Sequence, residues 1–142
     1  MLYIEDSDGS AWLSVVDVLV ERETYDMVLC LYPDSESDAF PEPFSPPNLA
    51  EPLERVTTYP GGSEPACSSR VRVNSALLED LRAGTGDFED WGDSFVLYPP
   101  RERAWVAAFI PHRRVVLVRD DRLRDFLDAA SVRVSSEPPE EW

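Results

Sequence analysis

The chain contains no lysine, so each of its 13 basic residues is an arginine. That absence removes Walker phosphate loops, Schiff-base enzymes and protein kinases, each of which needs a lysine amine. One histidine, His112, and two cysteines, Cys30 and Cys67, are too few for the usual zinc sites, which take three or four Cys or His ligands. There is no G-x-S-x-G elbow, and Gly84-Thr85-Gly86 falls short of a dinucleotide fingerprint and follows a helical pattern where a strand is required. No apolar run approaches the roughly 20 residues that span a bilayer. The opening MLYIEDSDGS has neither the basic start nor the apolar stretch of a signal peptide. We therefore expect a cytoplasmic protein with no metal or cofactor, and the missing motifs count against an enzyme. The two cysteines sit in dissimilar places, Cys30 in an apolar run and Cys67 in a Pro/Gly/Ser-rich loop. They read as a buried thiol and a loop thiol and not as a disulfide framework.

Negative charge is what the chain has in excess. Twenty-eight Asp and Glu against 13 Arg give a formal net charge of -15, with a pI near 4.3. A field of that sign repels nucleic acid and anionic lipid and attracts basic surfaces at long range. The expected partner is thus a basic protein, with no nucleic acid and no membrane. The plainer alternative is that acidity only keeps a small protein soluble. At 142 residues, 43% of them hydrophobic, the chain makes one domain able to bury roughly two thirds of its unfolded surface.

The densest apolar stretch, residues 94–118, organises the rest. It reads as three strands, 95–98, 104–110 and 115–118, with prolines at the breaks and none inside the runs, which is the pattern of an antiparallel meander. Ahead of it, residues 2–4 suit a short strand. In 11–23 the polar residues Ser10, Ser14, Asp17, Glu21 and Thr24 fall within about 80° on a helical wheel, which predicts a helix with Ser10 as its cap. Residues 27–32 read as a buried strand. Residues 33–69 form a Pro-rich acidic loop holding more than half of the chain's 13 prolines, with a short helix expected at 49–55. Residues 69–73 alternate Arg and Val as a strand with one wet face. Asn74 or Ser75 caps a helix over 76–82 that Gly84 closes. In the helix capped by Asp120, Leu123, Phe126, Leu127 and Ala130 follow an inward-facing i, i+3, i+4, i+7 pattern, and a last strand is expected at 132–134. The predicted fold is a single α+β domain over 1–142, an antiparallel β-meander at about 94–118 with two or three helices packed on one face.

The loop GTGDFEDWGD concentrates Asp87, Glu89, Asp90 and Asp93 around Phe88 and Trp91. As a calcium loop it fails in register: Gly92 falls at position 6, but Trp91 occupies position 5 and Tyr98 stands where the bidentate Glu belongs. Asp34, Glu36 and Asp38 also alternate, with Ala39 in the glycine's place. Aromatics flanked by acids can instead form a contact surface for an Arg/Lys-rich partner, with Asp34, Glu36 and Asp38 as a second rim. Alternatively, Phe88 and Trp91 pack under the meander while the acids only face water. His112 reads as a turn residue. Arg113 and Arg114, with Arg101 and Arg103, read either as a local basic spot or, as the readier expectation, as partners of neighbouring acids in surface pairs worth about 0 to 1 kcal/mol each.

The functional expectation is a non-catalytic inhibitor or immunity-type antidote that covers the basic active surface of a toxin or nucleic-acid-binding protein. Its likeness to bacterial immunity proteins is one of size and charge. Two alternatives stay open: a small hydrolase using paired carboxylates, and an accessory or adaptor domain whose partner uses the Pro-rich segment.

Overall fold

A computed structural model describes residues 1–33, 39–48, 53–54, 56, 67–140 and 142. Its centre is a six-stranded antiparallel sheet in the order β1-β6-β5-β4-β2-β3. The strands are β1 (Leu2–Glu5), β2 (Asp26–Leu31), β3 (Cys67–Arg72), β4 (Ser94–Tyr98), β5 (Ala107–Ile110) and β6 (Val115–Val118). The consecutive strands β4, β5 and β6 are the expected meander. β1 is added beside β6, while β2 and β3 are added beside β4.

Four helices, α1 (Ser10–Val20), α2 (Ser75–Ala83), the single turn α3 (Phe88–Trp91) and α4 (Arg124–Ala129), share one core with Leu2, Ile4, Met27, Leu29, Phe95, Leu97, Ala107, Phe109, Val116 and Val118. These strand residues alternate along their strands, so they occupy one face of the sheet. The intervening positions, Val28, Val96, Tyr98, Ala108, Ile110, Val115 and Leu117, form a second cluster on the opposite face, with Trp105, Val56, Leu53 and Trp142 against it. Burial on both faces explains why β2, β4, β5 and β6 read as continuous apolar runs.

Local chemistry sets the element ends. α1 begins at Ser10, and its N-terminal amides are held from outside the helix: the buried Asp6 carboxylate accepts from Gly9 N at 2.9 Å and from Trp12 N at 2.7 Å, and Asp8 accepts from Ser10 N at 2.9 Å. Ser10 is therefore the first helical residue and not the cap. The helix stops at Val20, three residues short of the expected end, and 21–23 form a turn. Asn74 caps α2 through Leu77 N at 2.9 Å.

Several expected elements differ. β5 begins at Ala107 because Trp105 leaves the strand to cover the far face. Cys67 is the exposed first residue of β3, not a loop residue, while Cys30 is buried. Burial is the main cause that pushes the Cys30 thiol pKa up, which keeps the sulfur protonated. Leu53 and Glu54 are not helical. The rest of the helix expected at 49–55 lies outside the described residues. Asp120 caps a 3-10 turn, Asp121–Leu123, that runs into α4. Phe126 is 48% exposed, with the Arg22 guanidinium 4.0 Å from its ring centroid, so it lies outside the core. No strand forms at 132–134; Ser131 turns with φ 62°, and the chain pairs with β1 at the Tyr3–Ser135 bridge.

Candidate functional site

One end of the sheet carries the turn after β1, the exit from β2, the entry to β4 and the β5–β6 turn. The strand order and antiparallel register place these four together. The acidic loop 84–93 belongs to this end and is tied down along its length. Gly86 N donates to Asp8 O at 2.7 Å, and Asp93 N donates to Cys30 O at 2.9 Å. The Asp93 carboxylate accepts from Tyr32 N at 2.7 Å. Between these ties the chain makes α3.

α3 turns its residues in different directions. Phe88 is only 2% exposed and packs edge-on against Phe95 and Phe109 at 5.2 and 6.1 Å between ring centroids. Its ring lies over Gly9, where a Cβ would overlap it and where φ is +89°. Phe88 is thus packed into the core, as in the alternative reading of this loop in which it lies under the meander. Trp91 is half-buried, edge-on to Phe88 at 5.5 Å, and approaches Gly84 so closely that a Cβ there would lie 2.5 Å from the indole. Asp87, Glu89 and Asp90 are exposed. Asp93 serves the backbone as described.

The short helix therefore stands as a ridge between two concavities. On one side Trp91 and Asp87 line a shallow depression of about 550 Å³ with Glu42, Pro43, Asp80, Ala83 and Gly84. On the other side Glu89 lines a groove of about 1040 Å³ whose walls include Glu5, His112, Arg113 and Arg114. Sequence reading missed Glu42, Asp80 and Glu5 as neighbours of this loop. Asp80 precedes Gly84 by one helical turn, a spacing that could have placed it near Trp91, whereas Glu5 and Glu42 arrive through tertiary contacts. His112 is exposed in the 3-10 turn Pro111–Arg113, as a turn residue. Asp34, Glu36 and Asp38 lie outside the described residues.

The four arginines do not gather in one basic spot. Arg113 and Arg114 follow β5 at the acidic end, whereas Arg101 and Arg103 lie in the β4–β5 connection at the opposite end. Other arginines are taken up by pairing: Arg70 and Arg72 converge on Asp26 at 2.8 and 2.6 Å, Arg82 meets Asp17 at 3.0 Å, and Arg122 meets Asp120 at 2.9 Å. Arg119 forks onto both Glu54 oxygens at 2.7 and 2.8 Å. Its hydrogen bond holds the Glu54 carboxyl below the usual carboxylate range. Asp87, Glu89 and Asp90 are exposed on a chain of net charge -15.

Among the described residues, no three or more His, Cys, Asp or Glu side chains gather in a way that could hold a metal ion. No helix among them is long and apolar enough to cross a membrane. Comparison with protein-family models, with curated proteins and with solved structures found no match to the chain.

Proposed function

We propose that this is a non-catalytic acidic binding protein of the cytoplasm, an inhibitor or immunity-type antidote that covers the basic active surface of a toxin or nucleic-acid-binding protein. The observation that carries the reading is the α3 ridge: Asp87, Glu89 and Asp90 stand exposed between two concavities, with the half-buried indole of Trp91 beside Asp80 and Glu42. An indole face framed by carboxylates suits an arginine, whose guanidinium stacks on aromatics and forks onto carboxylates. The net charge of -15 would steer such a partner in and raise its association rate. Inhibition then needs no chemistry, because a partner surface covered by this face is closed to its own substrate.

The test is capture from the source cell's lysate on the immobilised protein at low salt, followed by binding of the retained protein to variants. A single basic protein retained in stoichiometric amount, and lost with Trp91→Ala and Asp90→Ala, supports the reading. Retention of nothing, or of many unrelated basic proteins, would leave the acidity as a solubility device.

A further inference from the structure

The two concavities beside α3 differ in the charges that line them. The 1040 Å³ groove mixes signs, with Arg113 and Arg114 among Glu5, Asp6 and Glu89, so a cation entering it meets like charge as well as opposite. The 550 Å³ depression on the Trp91 side carries Glu42, Asp80 and Asp87, and no arginine stands among the described residues that line it. All three carboxylates are exposed, and none makes an ion pair among the described residues.

Two further features of the depression favour a cation independently of those carboxylates. The first is that Asp80, Ala83 and Gly84 bring the C-terminal turn of α2 to its wall, where the aligned peptide dipoles of a helix leave partial negative charge. Arg82, the basic residue of that turn, is engaged with Asp17 of α1 at 3.0 Å. The second is the Trp91 indole, which the core holds in place. It lies edge-on to Phe88 at 5.5 Å and tilted against Phe95 at 6.3 Å. It also rests on Gly84, which is buried, and a Cβ there would come 2.5 Å from the ring. The φ of Gly84 is -87°, a value open to any residue, so glycine here provides room for the indole and not a special backbone conformation. An aromatic wall fixed before a ligand arrives has little ordering cost left at binding.

We propose that this depression is a seat for one arginine side chain of a basic partner, and that the groove on the other side of α3 takes no part in holding it. The inference rests on the reading of α3 as a docking ridge and narrows it to one contact and one residue type. A guanidinium stacks on an indole while its N–H fork donates to carboxylates. A lysine ammonium has the same charge but is a compact, strongly hydrated point that matches neither geometry as well. The net charge of -15 attracts both alike at long range. A preference for arginine over lysine therefore reports the seat and not the field of the whole molecule.

The test needs no partner protein. The full chain, nitrogen-labelled for NMR, is titrated at one low ionic strength with Nα-acetylarginine amide and, separately, with Nα-acetyllysine amide. The arginine probe should give saturable shifts at the Trp91 indole N–H and at the amides of Asp80, Ala83, Gly84 and Asp87, with an apparent affinity at least about threefold above that of the lysine probe. Trp91→Leu should erase that preference. Asp80→Asn with Asp87→Asn, both at exposed positions, keeps the test valid if the Leu variant does not fold, and should weaken the arginine probe about twofold or more. Glu5→Gln, in the groove, should leave the preference unchanged. Equal affinity for the two probes, shifts as large at Glu5 and Arg114 as at Trp91, or a preference that survives Trp91→Leu overturns the proposal. Selective binding of the arginine probe supports the seat even where no basic protein associates with the chain. A basic protein that does associate, beside probes the chain fails to distinguish, overturns the seat and leaves the docking ridge standing.

Discussion

The Asp93 carboxylate accepts the Tyr32 backbone N–H at 2.7 Å, joining the last residue of the acidic loop to the point where the chain leaves β2. This bond gives Asp93 a different standing from the acids beside it. Asp93→Ala strands an amide that is only partly exposed and should cost about 1.5 to 3 kcal/mol. Asp87→Ala, at an exposed position whose side chain caps nothing, should change stability by no more than about 0.5 kcal/mol. Urea denaturation of both variants checks the difference. Equal effects would show that the Asp93 bond does not anchor the loop.

Gly9 and Gly86 both have positive φ, at +89° and +95°, but only Gly9 lies under an aromatic ring; a Cβ on Gly86 would meet nothing within 4 Å. Gly86→Ala should therefore cost only the backbone term, about 1 to 2 kcal/mol. Gly9→Ala must in addition displace Phe88 from its place against Phe95 and Phe109, for a total of at least about 3 kcal/mol. Thermal melts of the two variants measure the gap. Its absence would mean that Phe88 repacks freely.

The meander, the α1 and α2 patterns and the apolar nature of β2 were legible because hydrophobic periodicity and proline placement act locally. The assembly of the acidic end was not. Nothing local reports that Phe88 turns inward onto Gly9, since an aromatic among acids looks the same in sequence whether it anchors a partner or a core. The inward reading of Phe126 failed for a related reason: the i, i+3, i+4, i+7 pattern gives a face but not its width, and α4 is too short to bury both Leu127 and Phe126. Arg101 and Arg103 were grouped with Arg113 and Arg114 by nearness in sequence, whereas successive turns of a meander fall at opposite ends of the sheet.

Leu127→Ala removes a fully packed side chain and should cost about 2 to 5 kcal/mol. Phe126→Ala loses only the contact with Arg22, about 0.5 to 1 kcal/mol. Chemical denaturation of the two variants decides, and comparable losses would place Phe126 in the core after all.

Glu54 pairs with Arg119, and its carbonyl accepts the Tyr98 hydroxyl at 2.8 Å. Because its carboxyl pKa is lowered in the folded state, the unfolded chain takes up that proton first as pH falls. The contribution is therefore complete above the ordinary glutamate value of about 4.3 and is lost as pH drops through the lower folded value. Glu54→Gln should lower stability at pH 7 by about 1 kcal/mol or less, since the pair is more than a third exposed and screened by solvent. The difference from the native chain should shrink toward zero below pH 4. A difference that is constant with pH would assign the effect to packing and not to charge.

A basic partner docking on the acidic end of the sheet, as proposed, must associate at a rate that depends on salt. With the captured partner in hand, stopped-flow association is measured from about 0.01 to 0.15 M ionic strength, over which the screening length falls from about 30 to 8 Å. The association rate should fall about tenfold or more, with the slope reduced in an Asp87→Asn, Glu89→Gln, Asp90→Asn variant. A rate unaffected by salt, or a slope unchanged by neutralising these three carboxylates, would contradict it.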